Sequence, residues 1–154
     1  MRNPKKYAAL LTAFVIAVMM QIQAAAFDAE LSSRELRMIE AVVMHEVGYC
    51  SRESMTAVTH VILNRVESPL FPDTVEEVLH QKGQFTAIHN YYDNEIPVSY
   101  RVHRAVRDAV KMKDVTGGAL FFYAPRYLSK DSPAYAWFQS LETTLILEDV
   151  WYCK

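Results

Sequence analysis

Beyond residue 31, apolar residues recur at helical spacing along most of the chain. Ser32 and Glu35 have the spacing of a capping box, and Leu36, Ile39, Val42 and Val43 then share one face, predicting a helix to about Gly48. The next residue on that apolar face is an acid, Glu46. A second helix is predicted from about Ser51 to Val66, with Met55, Val58, Val61, Ile62 and Arg65 on its repeat. Only Gly48 to Cys50 separate the two, so they must pack as neighbours with Glu46 near their junction.

Ser68-Pro69-Leu70-Phe71-Pro72 forces an extended break, after which Asp73 or Thr74 caps a third helix to about Gln81. From Lys82 to Pro97 the chain is polar and aromatic with neither helical nor alternating period, which predicts a long loop of the kind that binds something. A fourth helix is predicted from about Val98 to Lys113, burying Val102, Ala105, Val106, Ala109 and Val110 and ending before Gly117-Gly118. Ala119 to Tyr123 and Val150 to Cys153 are short aromatic runs that favour strands and should pair antiparallel, with Ser132 to Leu141 a loop or short helix between them. The class expected is α+β, mainly helical, in a single domain with a small antiparallel sheet.

The first 26 residues stand apart from this pattern. Arg2, Lys5 and Lys6 precede an uncharged apolar run from Tyr7 to Met20 and then Ala24-Ala25-Ala26, which reads as a secretory signal peptide over residues 1–26, with the functional domain over 27–154. The run is shorter than the roughly 20 residues a spanning helix prefers, so no retained membrane span is expected. Removal of the segment takes three basic side chains and no acid, and the net charge of −2 becomes −5. That balance gives no general attraction to nucleic acid. Export also bears on Cys50 and Cys153. An oxidising setting permits a bridge between them, and closing a loop of about 100 residues stabilises by up to roughly 4.7 kcal/mol in the chain-entropy model. Two separate reduced thiols satisfy the sequence equally well.

Several chemistries fail against this layout. His45-Glu46 begins like a zinc-protease helix, but position 49 is Tyr49, and His60, His80, His89 and His103 complete no ligand spacing, so no metal and no cofactor are expected. No serine sits in a glycine-flanked elbow, and no base is evidently paired with Cys50. Glu46 is the better candidate. A carboxyl held against Ile39, Val42 and Val43 is partly desolvated, which keeps it protonated towards neutral pH, as cleavage of a glycosidic bond requires. A glutamate in the last turn of a helix is as a rule a solvated surface residue, and spacing alone leaves both readings open.

A long series of blocks carries a resemblance. Glu46, Glu53, Ala57-Val58-Thr59-His60-Val61-Ile62-Leu63-Asn64-Arg65-Val66, Phe71-Pro72-Asp73-Thr74-Val75, Gln84-Phe85-Thr86 and Gly118-Ala119-Leu120-Phe121-Phe122-Tyr123-Ala124-Pro125 follow one another in order. In these blocks the chain resembles the cell wall hydrolases typified by the spore cortex-lytic enzymes of the SleB type, whose catalytic domain is lysozyme-like. Counting back sixteen residues from Ile62 gives Glu46, the position of the catalytic acid in that family. Two departures stand out: Cys50 occupies a position where many members carry a second glutamate, and Ala87 replaces the usual proline.

The resemblance implies a secreted enzyme that cuts the bond between N-acetylmuramic acid and N-acetylglucosamine in peptidoglycan. The attacking group is the muramic C6 hydroxyl, so the product is a 1,6-anhydro sugar. Hydrolysis by water, and a non-catalytic glycan-binding protein, are the alternatives. Glu53 would orient Glu46 or bind sugar, with a capping or surface role equally open, and Gln84, Phe85, Phe122 and Tyr123 would line the substrate site, with core packing the alternative for Phe85 and Phe122. The partner implied is a peptidoglycan glycan strand, bound by a monomer in the cell wall or spore envelope.

Overall fold

A computed structural model describes residues 31–92 and 97–154; the signal segment expected over residues 1–26 lies outside them. Helix α1 runs over Ser33–Val47, and both halves of the capping box form, the Ser32 hydroxyl accepting from Glu35 N–H and the Glu35 carboxylate accepting from Ser32 N–H. Ile39, Val42 and Val43 are fully buried, as the stripe requires. Helix α2, Arg52–Glu67, is capped by Ser51 and is buried on nearly every side from Ser54 to Leu63, which makes it the central helix around which the others pack.

Thr74 caps the short α3, Val75–Leu79. The segment expected as loop contains a further helical turn, α4, Ile88–Tyr92, too short to show a period in sequence. Helix α5 spans Tyr100–Ala109 behind the Ser99 cap, shorter than expected because the chain leaves helical geometry after Val110 to build a turn on Asp114. That carboxylate accepts from Thr116 N–H at 2.8 Å and Gly118 N–H at 2.6 Å, which holds it below the usual range although burial alone would raise it.

Two buried polar side chains tie the helices together. Glu40 of α1 meets His103 Nδ1 at 3.0 Å and Arg107 Nε at 3.5 Å on α5. His60 of α2 lies 3.0 Å through Nε2 from Ala109 O, while Val115 N–H donates to its Nδ1. Both ring nitrogens of His60 are thus committed to backbone, and its place is structural.

The sheet is antiparallel with order β1, β3, β2, from β1 (Phe121–Tyr123), β3 (Val150–Cys153) and β2 (Thr143–Leu147). The two runs expected to pair do so, in a register that sets Phe121 opposite Cys153 and Tyr123 opposite Trp151; β2 is an addition to the two strands expected. Between β1 and β2 lie a 3-10 turn, Pro125–Tyr127, and helix α6, Pro133–Gln139, capped by Ser132.

Both cysteines are free, so the bridge left open by the sequence is not formed. Cys50 sits at the start of α2 beside Glu148, whose carboxylate accepts from Ser51 N–H at the turn end of the β2–β3 hairpin. Cys153 is at the other end of β3, paired with Phe121 and Thr143.

Candidate active site

A cleft of about 240 Å³ opens beside the end of α1 and is lined by Glu46, Arg65, Gly83, Gln84, Phe85, Phe121, Phe122, Trp137 and Phe138. Four pieces of chain meet there: α1 brings the acid, α2 the arginine, the turn before α4 brings Gln84 and Phe85, and β1 with α6 forms an aromatic wall.

The acid is placed by the end of its helix. Gly48 closes α1 so tightly that a Cβ there would lie 2.3 Å from Met44 O, and the chain turns at once into α2. Glu46 is thereby left half-buried at the junction, its side chain 24% exposed, enough to reach a substrate while losing much of its hydration. Burial pushes its carboxyl above the ordinary range; His45, with Nδ1 3.5 Å from Oε1, acts in the opposite direction. His45→Asn is therefore expected to raise the Glu46 pKa further and move the alkaline limb of the activity profile to higher pH, measured as initial rate against pH; a limb that stays in place would show that the imidazole does not act on the acid.

The floor of the cleft is set by consecutive residues of α2. Asn64 Nδ2 donates to Ala119 O and to Thr116 Oγ1, both at 3.0 Å, and Arg65 Nε donates to Leu120 O at 2.6 Å. Together they pin the entry of β1 and so fix Phe121 and Phe122. The guanidinium of Arg65 also stands 5.0, 5.1 and 5.4 Å from the ring centroids of Phe71, Phe85 and Phe121, drawing the three rings to one cation. Burial lowers its pKa to about 10, which leaves it charged at neutral pH.

Gly83 adopts φ +76, a conformation that costs glycine little, and the turn it makes delivers Gln84 exposed and Phe85 buried at the cleft. On the far wall Trp137 is 45% exposed, edge-on to Phe121 at 5.0 Å and close to Phe138 at 4.8 Å. Such half-exposed rings offer flat faces to the C–H faces of sugars.

Of the residues singled out in the sequence, Glu46, Gln84, Phe85 and Phe122 come together in this cleft. Glu53 does not: it is exposed in the first turn of α2. Tyr123 lies behind the wall, its ring stacked on Phe138 at 4.2 Å and its hydroxyl accepting from Gln139 Nε2. Sequence reasoning passed over Trp137 and Phe138, and it took Arg65 as one more member of a helical face. The adjacent aromatic pair just after a Ser-Pro helix start was the available signal for the first two. Among the described residues no cluster of His, Cys, Asp and Glu could hold a metal ion.

Comparison with known proteins adds the decisive observation: a model of the cell wall hydrolase family matches residues 50–152. The chain belongs to the cell wall hydrolase family. Its relatives include spore cortex-lytic enzymes of Oceanobacillus iheyensis, 34% identical over 96 residues, and of Bacillus subtilis, 32% identical over 96 residues. Each alignment covers 61% of this chain and about a third of the relative, 34% and 30% respectively. In three dimensions the chain is similar to the catalytic domain of Bacillus cereus SleB, with a TM-score of 0.69, 26% identity, and coverage of 82% of this chain and 94% of the other. The catalytic domain of the germination-specific lytic transglycosylase SleB from Bacillus anthracis matches equally well, with a TM-score of 0.69 and 27% identity over 82% of this chain and 98% of that one. The α+β fold implied by the sequence resemblance is therefore the fold of these family members. The family match begins at residue 50, past Glu46, so the acid stands on the geometry of the cleft.

Proposed function

We propose that this protein is an exported peptidoglycan-cleaving enzyme, a lytic transglycosylase that uses Glu46 as its single acid and base. The observation that carries this reading is the composition of the cleft. Glu46 is a half-buried carboxyl biased towards its protonated form, and no other acid lies among the cleft's described lining residues. Retaining and inverting hydrolysis each require a second carboxylate, roughly 5 to 9.5 Å from the first, as nucleophile or as base towards water. Attack by a hydroxyl of the substrate itself needs no such partner.

The sequence of events follows from the chemistry. Glu46 gives its proton to the glycosidic oxygen as the bond to muramic C1 breaks, and N-acetylglucosamine leaves with a new hydroxyl. The carboxylate so formed takes the proton of the muramic C6 hydroxyl while that oxygen bonds to C1, which closes the 1,6-anhydro ring and restores the acid. The attacking oxygen belongs to the sugar already held, so no bimolecular encounter with water is needed. Gln84 offers its amide to sugar hydroxyls, and Phe122 and Trp137 supply apolar faces. The match to SleB catalytic domains supports the same substrate class.

A signal peptide over residues 1–26 would carry the domain across the membrane to the wall. No helix among the described residues is long and apolar enough to span a membrane. Incubation of dye-labelled sacculi with the purified protein tests the activity. Soluble labelled fragments are expected, and their absence from several wall types would favour a binding protein instead.

A further inference from the structure

The last turn of α1, which carries Glu46, is tied to the chain that follows it by the Cys50 N–H, which donates to Val47 O at 2.9 Å. Helix ends fray unless such bonds are kept, because their last carbonyls have no partner within the helix. The next peptide group, from Cys50 C=O to Ser51 N–H, is gripped at both ends by charged side chains from distant segments. Arg101, in the first turn of α5, donates through Nη2 to Cys50 O at 2.8 Å, and Glu148, at the β2–β3 turn, accepts from Ser51 N–H at 3.1 Å. In a trans peptide these two groups point in opposite directions, so the guanidinium lies at the negative end of the peptide dipole and the carboxylate at the positive end. Both charges favour the same orientation of the peptide plane.

Glu148 has two further marks of a residue kept for its carboxylate. At φ 53 it occupies a position that turns give to Asn, Asp or Gly, so the hairpin itself does not call for a glutamate. It also completes a capping box that α2 cannot close locally. Ser51 accepts from Ser54 N–H as Ser32 does from Glu35 N–H, but where α1 has a glutamate to reach back to the cap, α2 has Ser54. Glu148, 97 residues further along, accepts that bond in its place and lies 3.5 Å from the Ser54 hydroxyl.

We propose that Arg101 and Glu148 are positioning residues for Glu46: they hold the Cys50–Ser51 peptide between them and, through the Cys50 amide, the last turn of α1, which keeps the acid half-buried. The proposal rests on Glu46 being the acid of the reaction above. Neither side chain lines the cleft. The protonation of Glu46 is governed by burial and by His45, and Arg65 is the other charged group of the cleft lining, so the pair acts on the acid through the backbone and not through its own charges. Loss of either hold frees the turn, lets water reach the carboxyl and brings its pKa down towards the ordinary range. A through-space effect has a different pattern, since removing a positive charge raises a carboxyl's pKa and removing a negative one lowers it. Arg101→Ala separates the two: a loosened turn lowers the pKa where a lost charge raises it. Both side chains are exposed, and their truncation leaves the apolar core in place.

The test is the titration of the Glu46 carboxyl, followed by NMR of protein isotope-labelled at its glutamate side chains and assigned by the signal that Glu46→Gln removes. Arg101→Ala and Glu148→Ala are each expected to lower the Glu46 midpoint. Glu148→Gln, which keeps an oxygen to accept from Ser51 N–H, should leave it near the wild-type value. With soluble glycan strands, kcat should fall about tenfold in both alanine variants, within the loss that a slightly misplaced group produces, while KM is unchanged. A midpoint that stays or rises in Arg101→Ala overturns the proposal, and so does a fall in Glu148→Gln as large as in Glu148→Ala. The two residues are scored apart, so an unfolded variant of one leaves the other to decide. The titration needs no substrate. Wild-type protein that cuts no strand therefore contradicts the proposed activity, while the midpoints still decide whether the clamp sets the state of Glu46.

Discussion

Glu46→Gln is expected to lower the rate of glycan-strand cleavage by about a hundredfold to ten-thousandfold, the contribution of one positioned acid. The amide keeps the size and hydrogen-bonding shape of the side chain and loses the proton that the leaving oxygen must receive. Binding of strands should survive, because Gln84 and the aromatic wall are untouched. The same substitution should raise Tm, and more so at pH 8 than at pH 4. The sign follows from burial: a carboxyl whose folded pKa lies above its unfolded value binds its proton better in the native state, so its stabilising contribution is present at low pH and lost as pH rises through the folded pKa. Glutamine has no such loss. A variant that keeps more than a tenth of the wild-type rate, scored by release of soluble fragments, would remove Glu46 from the chemistry; one that loses activity together with its fold would show a lowered Tm.

The second large effect is expected at Asn64, a residue that touches neither the acid nor the sugar. Its amide holds Ala119 O and Thr116 Oγ1, and both residues are fully buried. Asn64→Ala leaves the Ala119 carbonyl without this donor in a dry setting and removes a second bond, at a cost of about 2–3 kcal/mol. For a domain of this size that is a fall in Tm of roughly 8–12 °C. Below the transition, activity should also drop because the entry of β1 sets Phe121 and Phe122, while the pH profile stays in place since Glu46 is unaffected. Thermal unfolding and rate against pH check both halves. A shifted profile would mean that Asn64 acts on the acid, and an unchanged Tm would mean that the β1 entry is held by other bonds.

The helical scaffold was legible because its signals are local. Ser32 with Glu35, the helix start near Ser51, the cap at Asp73 or Thr74, and the apolar stripe ending at Glu46 each rest on residues close together in sequence, and the structure has the Ser32 capping box, a helix beginning after Ser51 and Thr74 as the cap. Strand β2 was not legible because the turn that pairs it with β3 uses Glu148 at φ 53, a position usually taken by Asn, Asp or Gly, so no hairpin signal marks it. Helix α4 is a single turn and carries no period. The acid of the cleft was a candidate from one helix, whose spacing left a surface role equally open until the family blocks were added. The cation could not be read, since the setting of Arg65 is made by Phe71, Phe85 and Phe121, which are distant in sequence and converge only in the fold. Trp137 and Phe138 likewise reach the site only because α6 packs against β1. Glu53 and Tyr123 illustrate the converse: both fit the family's sequence blocks, yet one is at the surface and the other behind the wall.

Mass spectrometry of muropeptides released from purified peptidoglycan, with Glu46→Gln run beside the wild-type protein, tests the central claim most directly. Lytic transglycosylation through one carboxyl predicts fragments ending in 1,6-anhydro-muramic acid from the wild type and none above background from the variant. Fragments with reducing muramic ends would contradict it, showing that water attacks and that a second carboxylate takes part.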